Sequence, residues 1–259
     1  MKKTITTILL LLVTTLSIHA YTSDPDPEEM KKNIEELVEY FEGQGYDIQK
    51  YLDDSRFELV ERITQKFTRS AEVKIESNED YKKAVGFDRK TKLIAEFIEE
   101  NLTYLQEAEE EYGIPTHVIA AIIGIESEFG KYYGTYNPFN VYISMYAEGH
   151  RSNFAKSQLE ELLIFVNKND IDILELKSSY AGAMSYAQFI PSSLNRWWVG
   201  SDLYDMPNNI KSVANYLAHF KEITGSLEKS IYRYNPSDLY TQAVLSLAEE
   251  AKAVIEKTD

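Results

Sequence analysis

Apolar residues recur at three- and four-residue intervals in segment after segment of this sequence, and no stretch alternates apolar with polar residues long enough to require a strand. Such a chain must bury helix faces against one another, so the expected fold class is mostly α. In EEMKKNIEELVEYFEGQG, residues Ile34, Leu37, Val38 and Phe41 share one face, and Gly43 and Gly45 end it. DSRFELVERITQKFTRSA aligns Phe57, Val60, Ile63 and Phe67 in the same way and predicts a second helix. KTKLIAEFIEENLTYLQEAEEEYG reads as a long helix closed by Gly113. Pro115 then suits a first helical turn, and THVIAAIIGIESEFG carries on from it. NFAKSQLEELLIFVNKN, PSSLNRWWV, NIKSVANYLAHFKEI and DLYTQAVLSLAEEAKAVIEK complete the helical set. The expected organisation is an N-terminal helical extension over residues 21–89 and one helical domain over 90–259.

The first 20 residues read differently. MKKTITTILLLLVTTLSIHA has a basic start, an apolar core from Ile8 to Val13 and a small residue at Ala20, the pattern of a cleaved export signal and too short for a membrane span. With Cys 0 there is no thiol to take a lipid anchor and no disulfide, and the remainder is long enough to bury a core without one. A formal net charge of -15 argues against nucleic acid and against adhesion to anionic lipid, because both need clustered cations. No HExxH, GxSxG, phosphate-loop or GxGxxG motif occurs. His19, His117, His150 and His219 show no ligand spacing, so neither metal nor cofactor is expected.

One apolar helix ends unusually. AIIGIESEFG, residues 121–130, carries Glu126 and Glu128. Ile119, Ile122 and Ile123 precede Glu126 by seven, four and three residues, which sets Glu126 on the stripe a core would claim. Glu128 falls roughly 200° further round an α-helix, so the two cannot share a site. A carboxyl desolvated among isoleucines holds its proton towards neutrality, as a general acid must. Spacing alone favours the plainer alternative, a glutamate at a helix end, half solvated or paired with Lys131 or Arg151.

SSYAGAMSYAQFIPSS, residues 178–193, is short and interrupted by polar residues. Ala181, Gly182, Ala183, Ser185 and Ala187 permit close backbone approach, and Pro191-Ser192-Ser193 resembles a helix start with a hydroxyl cap. The segment fits either the wall of a site or tight helix packing through small residues.

IIGIESEFG, SYAGAMSYAQFIPSS, SVANYL and RYNPSDLYTQAV, in this order, resemble the membrane-bound lytic transglycosylase B family over roughly residues 90–250. The resemblance implies a lysozyme-like fold and a peptidoglycan lytic transglycosylase acting in the periplasm on glycan strands. Such an enzyme breaks the MurNAc–GlcNAc β-1,4 bond and leaves a 1,6-anhydro end. It also implies roles. Glu126 matches the single acid/base and Ser179 the hydroxyl that orients it. Gln188 and Asn235 match amides that hold the sugar, Tyr186 and Tyr234 the aromatic walls, and Met184 the apolar lining. Arg151 in HRSNF resembles a substrate-contacting arginine. With one carboxylate, the implied mechanism uses the substrate's N-acetyl oxygen to trap C1 where two-carboxylate glycosidases use a second side chain.

The chain departs from that family in three places. Between PSS and SVANY it has only LNRWWVGSDLYDMPNNIK, in which Asp202 and Asp205 lack the spacing of an EF-hand loop, so no calcium site is expected. Ser185 and Ala187 stand where glycines are usual, and the lipid anchor is missing. A lysozyme-like hydrolase and a non-catalytic glycan-binding scaffold remain the rival readings.

Overall fold

The computed structural model describes residues 25–72 and 75–256, so the expected export signal at residues 1–20 lies outside them. In chain order the helices are α1 (Pro27–Gly43), α2 (Gln49–Leu52), α3 (Ile63–Glu72), α4 (Asn78–Ala84), α5 (Phe87–Tyr112) and α6 (Thr116–Ser127). Then follow α7 (Pro138–Ala147), α8 (Ser152–Asn169), a 3₁₀ turn (Ile173–Glu175), α9 (Pro191–Trp197), α10 (Met206–Thr224), α11 (Leu227–Tyr234) and α12 (Asp238–Ile255). Among the described residues there are no strands. Isolated antiparallel bridges join Tyr136 to Ser178, Ser178 to Met184 and Met184 to Phe189, folding the 178–189 segment back on itself. No described helix is long and apolar enough to cross a membrane.

The architecture is built around α6. Every residue from Val118 to Gly124 is buried, and α5, α10 and α12 pack against the helix. A helix apolar on all sides has to sit inside others. On the far side α7 and α8 pair, with α1 and α3 covering α7. The N-terminal extension therefore lies on the domain rather than trailing from it. Its α4 packs on both α5 and α12, and α5 begins at Phe87, before the expected boundary.

Two local expectations need correction. Residues 54–62 are turn and coil, and the helix begins only at Ile63. Asp54 accepts from the Arg56 backbone N–H at 2.9 Å and closes a local turn, and the Val60 N–H donates to Ser144 Oγ at 2.8 Å. The α3 N-terminus is then capped from α7's end, Glu148 accepting from Ile63 and Thr64 at 3.0 and 2.9 Å. Likewise no hydroxyl caps α9; its N-cap is Ile190, and Gln158 of α8 accepts from the Ser192 N–H at 3.1 Å.

Candidate active site

The C-terminal turn of α6 carries Glu126, half-buried between α4, α11 and α12. Tyr240, fully buried in α12, donates its hydroxyl to Glu126 Oε1 at 2.6 Å. Burial pushes the Glu126 carboxyl up from an ordinary 4.5 to about 7, against the lowering effects of the Tyr240 bond and the Lys90 charge. With Oε1 committed to Tyr240, Oε2 is the oxygen left to carry the proton. Around it stand Tyr234 and Tyr81, both held up by burial first and then by the charge of Glu126, Tyr81 to about 12. They remain neutral hydroxyls at any working pH. Tyr81 belongs to α4, so the N-terminal extension contributes directly to the surroundings of Glu126.

Glu128 is not in it. It ends α6 in the left-handed conformation at φ 50, and Phe129 follows at φ 60. Two consecutive non-glycine residues there are strained by about 1–3 kcal/mol each. What offsets the strain is visible. The Glu128 side chain is 1% exposed and takes the Arg89 guanidinium, with Lys131 at 3.6 Å and Lys90 at 4.0 Å, and Phe129 stacks on Phe97 at 4.9 Å. Burial works to raise the Glu128 carboxyl, but the Arg89 hydrogen bond and the three cations outweigh it and hold it below the usual range. Lys131 thus pairs with Glu128 and not, as spacing allowed, with Glu126.

The 178–190 loop forms the facing wall. Gly182 lies against the Tyr142 ring so closely that a Cβ would overlap it, and the Tyr142 hydroxyl donates to Gly182 O at 3.0 Å. Ser185 adopts φ 67 in place of glycine, its Oγ accepting from the Ala187 N–H at 3.2 Å, and Gln188 follows at φ 51. Gln188 Nε2 donates to Ser185 O at 2.9 Å and to Tyr133 O at 3.4 Å. The Tyr234 hydroxyl donates to Ala187 O at 2.6 Å, which ties α11 to the loop beside Glu126. Tyr186 is half-buried and edge-on to Tyr133 at 5.3 Å.

The remaining expected site residues are more scattered. Ser179 Oγ accepts from the Ala183 N–H at 3.3 Å, and among the described residues the hydrogen bond to Glu126 comes from Tyr240 instead. Met184 is fully buried, so it supports the wall from behind rather than lining it. Asn235 is exposed at the α11 C-cap, its carbonyl accepting from the Ser237 N–H at 2.8 Å. Arg151 lies 4.3 Å over the Phe154 ring at the start of α8, near Tyr142. Tyr240 is the residue that sequence reasoning missed, although it stands within the quoted RYNPSDLYTQAV.

The loop before α10 does not offer a cation cage. Asp205 caps Asn208 N–H at 3.2 Å and Asp202 Oδ1 accepts from the Tyr204 N–H at 2.8 Å. Asn208 Nδ2 donates to Asp202 O at 3.1 Å. Asn209 is buried and saturated: Oδ1 accepts from Ala187 N–H at 2.9 Å, and Nδ2 donates to Leu203 O and Asp205 O at 3.0 and 2.7 Å. These oxygens are caps and an amide brace to the 178–190 loop, a poor fit to the six or more ligands calcium takes.

Residues 28–226 match the family described as the transglycosylase SLT domain, and the chain belongs to that family. Among individual relatives, the membrane-bound lytic murein transglycosylase B of Escherichia coli (strain K12) is 34% identical over 119 residues, covering 43% of this chain and 33% of that protein. The match therefore spans a third of the length of the curated relative. The soluble lytic transglycosylase SltB1 of Pseudomonas aeruginosa superposes with a TM-score of 0.75 at 23% identity, over 85% of this chain and 98% of that one. A lytic transglycosylase of Escherichia coli in complex with calcium gives 0.72 at 20% identity, over 90% of this chain and 95% of that one. SltB3 of Pseudomonas aeruginosa in complex with NAG-NAM-pentapeptide gives 0.74 at 18%, over 86% and 79%. These structures share the mostly α, lysozyme-like fold.

Proposed function

We propose that this chain is a peptidoglycan lytic transglycosylase with Glu126 as its single acid/base. The observation that carries the reading is the carboxyl of Glu126, raised to about 7 by burial and hydrogen-bonded by the Tyr240 hydroxyl at 2.6 Å, while the neighbouring carboxylate of Glu128 is consumed by cations. A protonated Glu126 gives its proton to the glycosidic oxygen between MurNAc and GlcNAc as the C1–O bond breaks. The substrate's N-acetyl oxygen captures C1. The ionised Glu126 then removes the proton of the C6 hydroxyl, whose oxygen attacks C1 and releases the N-acetyl group, closing the 1,6-anhydro ring. Proton and electron pair are both returned, and water is not consumed.

The amides of Gln188 and Asn235 position the sugar in this reading, Tyr186 and Tyr234 wall it, Ser179 orients the acid as sugar displaces its Ala183 contact, and Arg151 reaches the strand further out. The family of the chain and the cell-wall enzymes it resembles support the substrate class. The chain is exported and acts in the periplasm, with cleavage after Ala20; cell fractionation and N-terminal sequencing check this. Mass spectrometry of material released from purified sacculi tests the chemistry. Anhydro ends support it, reducing ends indicate a hydrolase, and no release indicates a glycan-binding scaffold.

A further inference from the structure

Among the described residues Lys90 is the only buried cation, its side chain 6% exposed. It opens the buried stripe of α5 that Ile94, Phe97 and Ile98 continue, and Phe97 on that stripe meets Phe129 just past the end of α6. An ammonium taken out of water at such a place needs a carboxylate to answer it. Glu128 answers it only in part. Oε2 of Glu128 accepts from Arg89 Nε at 2.7 Å and from Arg89 Nη2, whereas Lys90 Nζ stands 4.0 Å away, beyond hydrogen-bond reach. Lys131 adds a third cation at 3.6 Å. Three positive charges thus surround one negative charge.

The three cations are not equivalent. The side chains of Arg89 and Lys131 are 57% and 59% exposed, so water and salt screen them. Lys90 has no such screen, and the surplus positive charge is felt from it inside the protein. α4, α5 and α12 pack on one another and on the α6 side of the molecule, which brings the start of α5 into the surroundings of Glu126. From the other sides that carboxyl is faced by Tyr81 of α4, Tyr234 of α11 and Tyr240 of α12, all neutral hydroxyls. Lys90 is the cation whose charge acts on Glu126, and each of the two favours the ionised form of the other against burial. Lys90 therefore lies between two carboxylates, one already satisfied by Arg89 and one that becomes charged only when it loses its proton.

We propose that Lys90 is a positioning residue for the acid, its buried ammonium balancing the carboxylate that Glu126 becomes once it has given up its proton. The proposal rests on the reading of Glu126 as acid and then base. The proton leaves for the glycosidic oxygen, the negative charge stays on Glu126 within the field of Lys90, and the proton of the C6 hydroxyl restores the neutral carboxyl. Lys90→Met keeps the unbranched stem, removes the charge and leaves Glu128 with Arg89 and Lys131. Carbon-13 NMR of glutamate-labelled protein follows the Glu126 carboxyl directly, its signal assigned by its loss in Glu126→Gln. In Lys90→Met its titration midpoint should rise by about one pH unit. The basic limb of kcat/KM should rise with it, and KM should stay within about twofold, because a group acting through Glu126 leaves sugar binding alone. Lys131→Met, which takes an exposed cation from the same glutamate, should leave the midpoint in place. Added salt should not move the wild-type midpoint either, since a buried ammonium is out of reach of counterions, and this measurement stands even if Lys90→Met does not fold. A midpoint unchanged in Lys90→Met, one raised equally by Lys131→Met, or one raised by salt in the wild type would overturn the proposal. Failure of the catalytic reading shows separately, as a protein whose carboxyl midpoint responds to Lys90→Met but which releases no anhydro ends.

Discussion

Glu126 and Glu128 stand two residues apart and are driven in opposite directions, Glu126 up to about 7 and Glu128 below the usual carboxylate range. The first sees mostly protein and one hydroxyl from α12. The second sees Arg89, Lys90 and Lys131. The helix ends between them, and the left-handed turn at Glu128 sends a structural anion away from the proton donor.

Glu126→Gln should abolish turnover while preserving shape. It should also reveal the cost of ionising the wild-type group. The folded carboxyl titrates near 7 against an ordinary 4.5, so its proton favours the native state below about 4.5, and that advantage is lost as pH rises through 7. Relative to wild type, the Gln variant should gain on the order of 3 kcal/mol between pH 4.5 and 8. Denaturant titrations at both pH values measure this; a flat difference would mean that the carboxyl is not desolvated.

Activity itself should fall along a basic limb near pH 7, because only protonated Glu126 can start the reaction. Tyr240→Phe removes a hydrogen bond that lowers this value, so the limb should move to higher pH while kcat drops through lost positioning. A pH–rate profile that keeps its limb in the Phe variant would show that Tyr240 does not set the acid.

Glu128→Gln should cost about 3 kcal/mol of stability, since it strands the buried Lys90 ammonium beside a half-exposed guanidinium. Per folded molecule, most activity should remain. Thermal melts paired with active-site-normalised rates separate the two effects, and a variant that is stable but inactive would reverse the assignment of the two glutamates.

Asn209→Ala should lower the melting temperature and kcat together, by removing the brace to Ala187 N–H and leaving Leu203 O unpaired and Asp205 O with only its backbone partner, at about 1–3 kcal/mol. Saturating calcium should not raise the melting temperature of wild type. A calcium-dependent rise that Asp202→Ala and Asp205→Ala abolish would show that the ion binds here.

What the sequence disclosed follows from what each residue must do. Glu126 was legible because a carboxylate on an isoleucine stripe violates its local pattern. Tyr240 was not, because a tyrosine inside an amphipathic helix is ordinary core, and its partner lies 114 residues away. The cations on Glu128 were hidden for the same reason: Arg89 and Lys90 look like a solvated helix face until α5 is laid beside α6. α7 went unread because PFNVYISMYA is buried from Pro138 to Met145 and so shows no period. Phe57 and Val60 misled in the opposite way, since coil residues that fill gaps under α7 can fall by chance on a helical spacing.

The burial of α6 on every side has a consequence for how this protein can change. Its chemistry is mounted on the innermost strut of the molecule, so Ile122 and Ile123 serve as ballast for the fold and as the mounting of the acid at once. A methyl group lost there would tilt the carboxyl as well as loosen the core. Variation in rate and variation in heat tolerance are therefore inherited together along this helix, whereas an exposed side chain beyond it such as Tyr132 carries no such double duty.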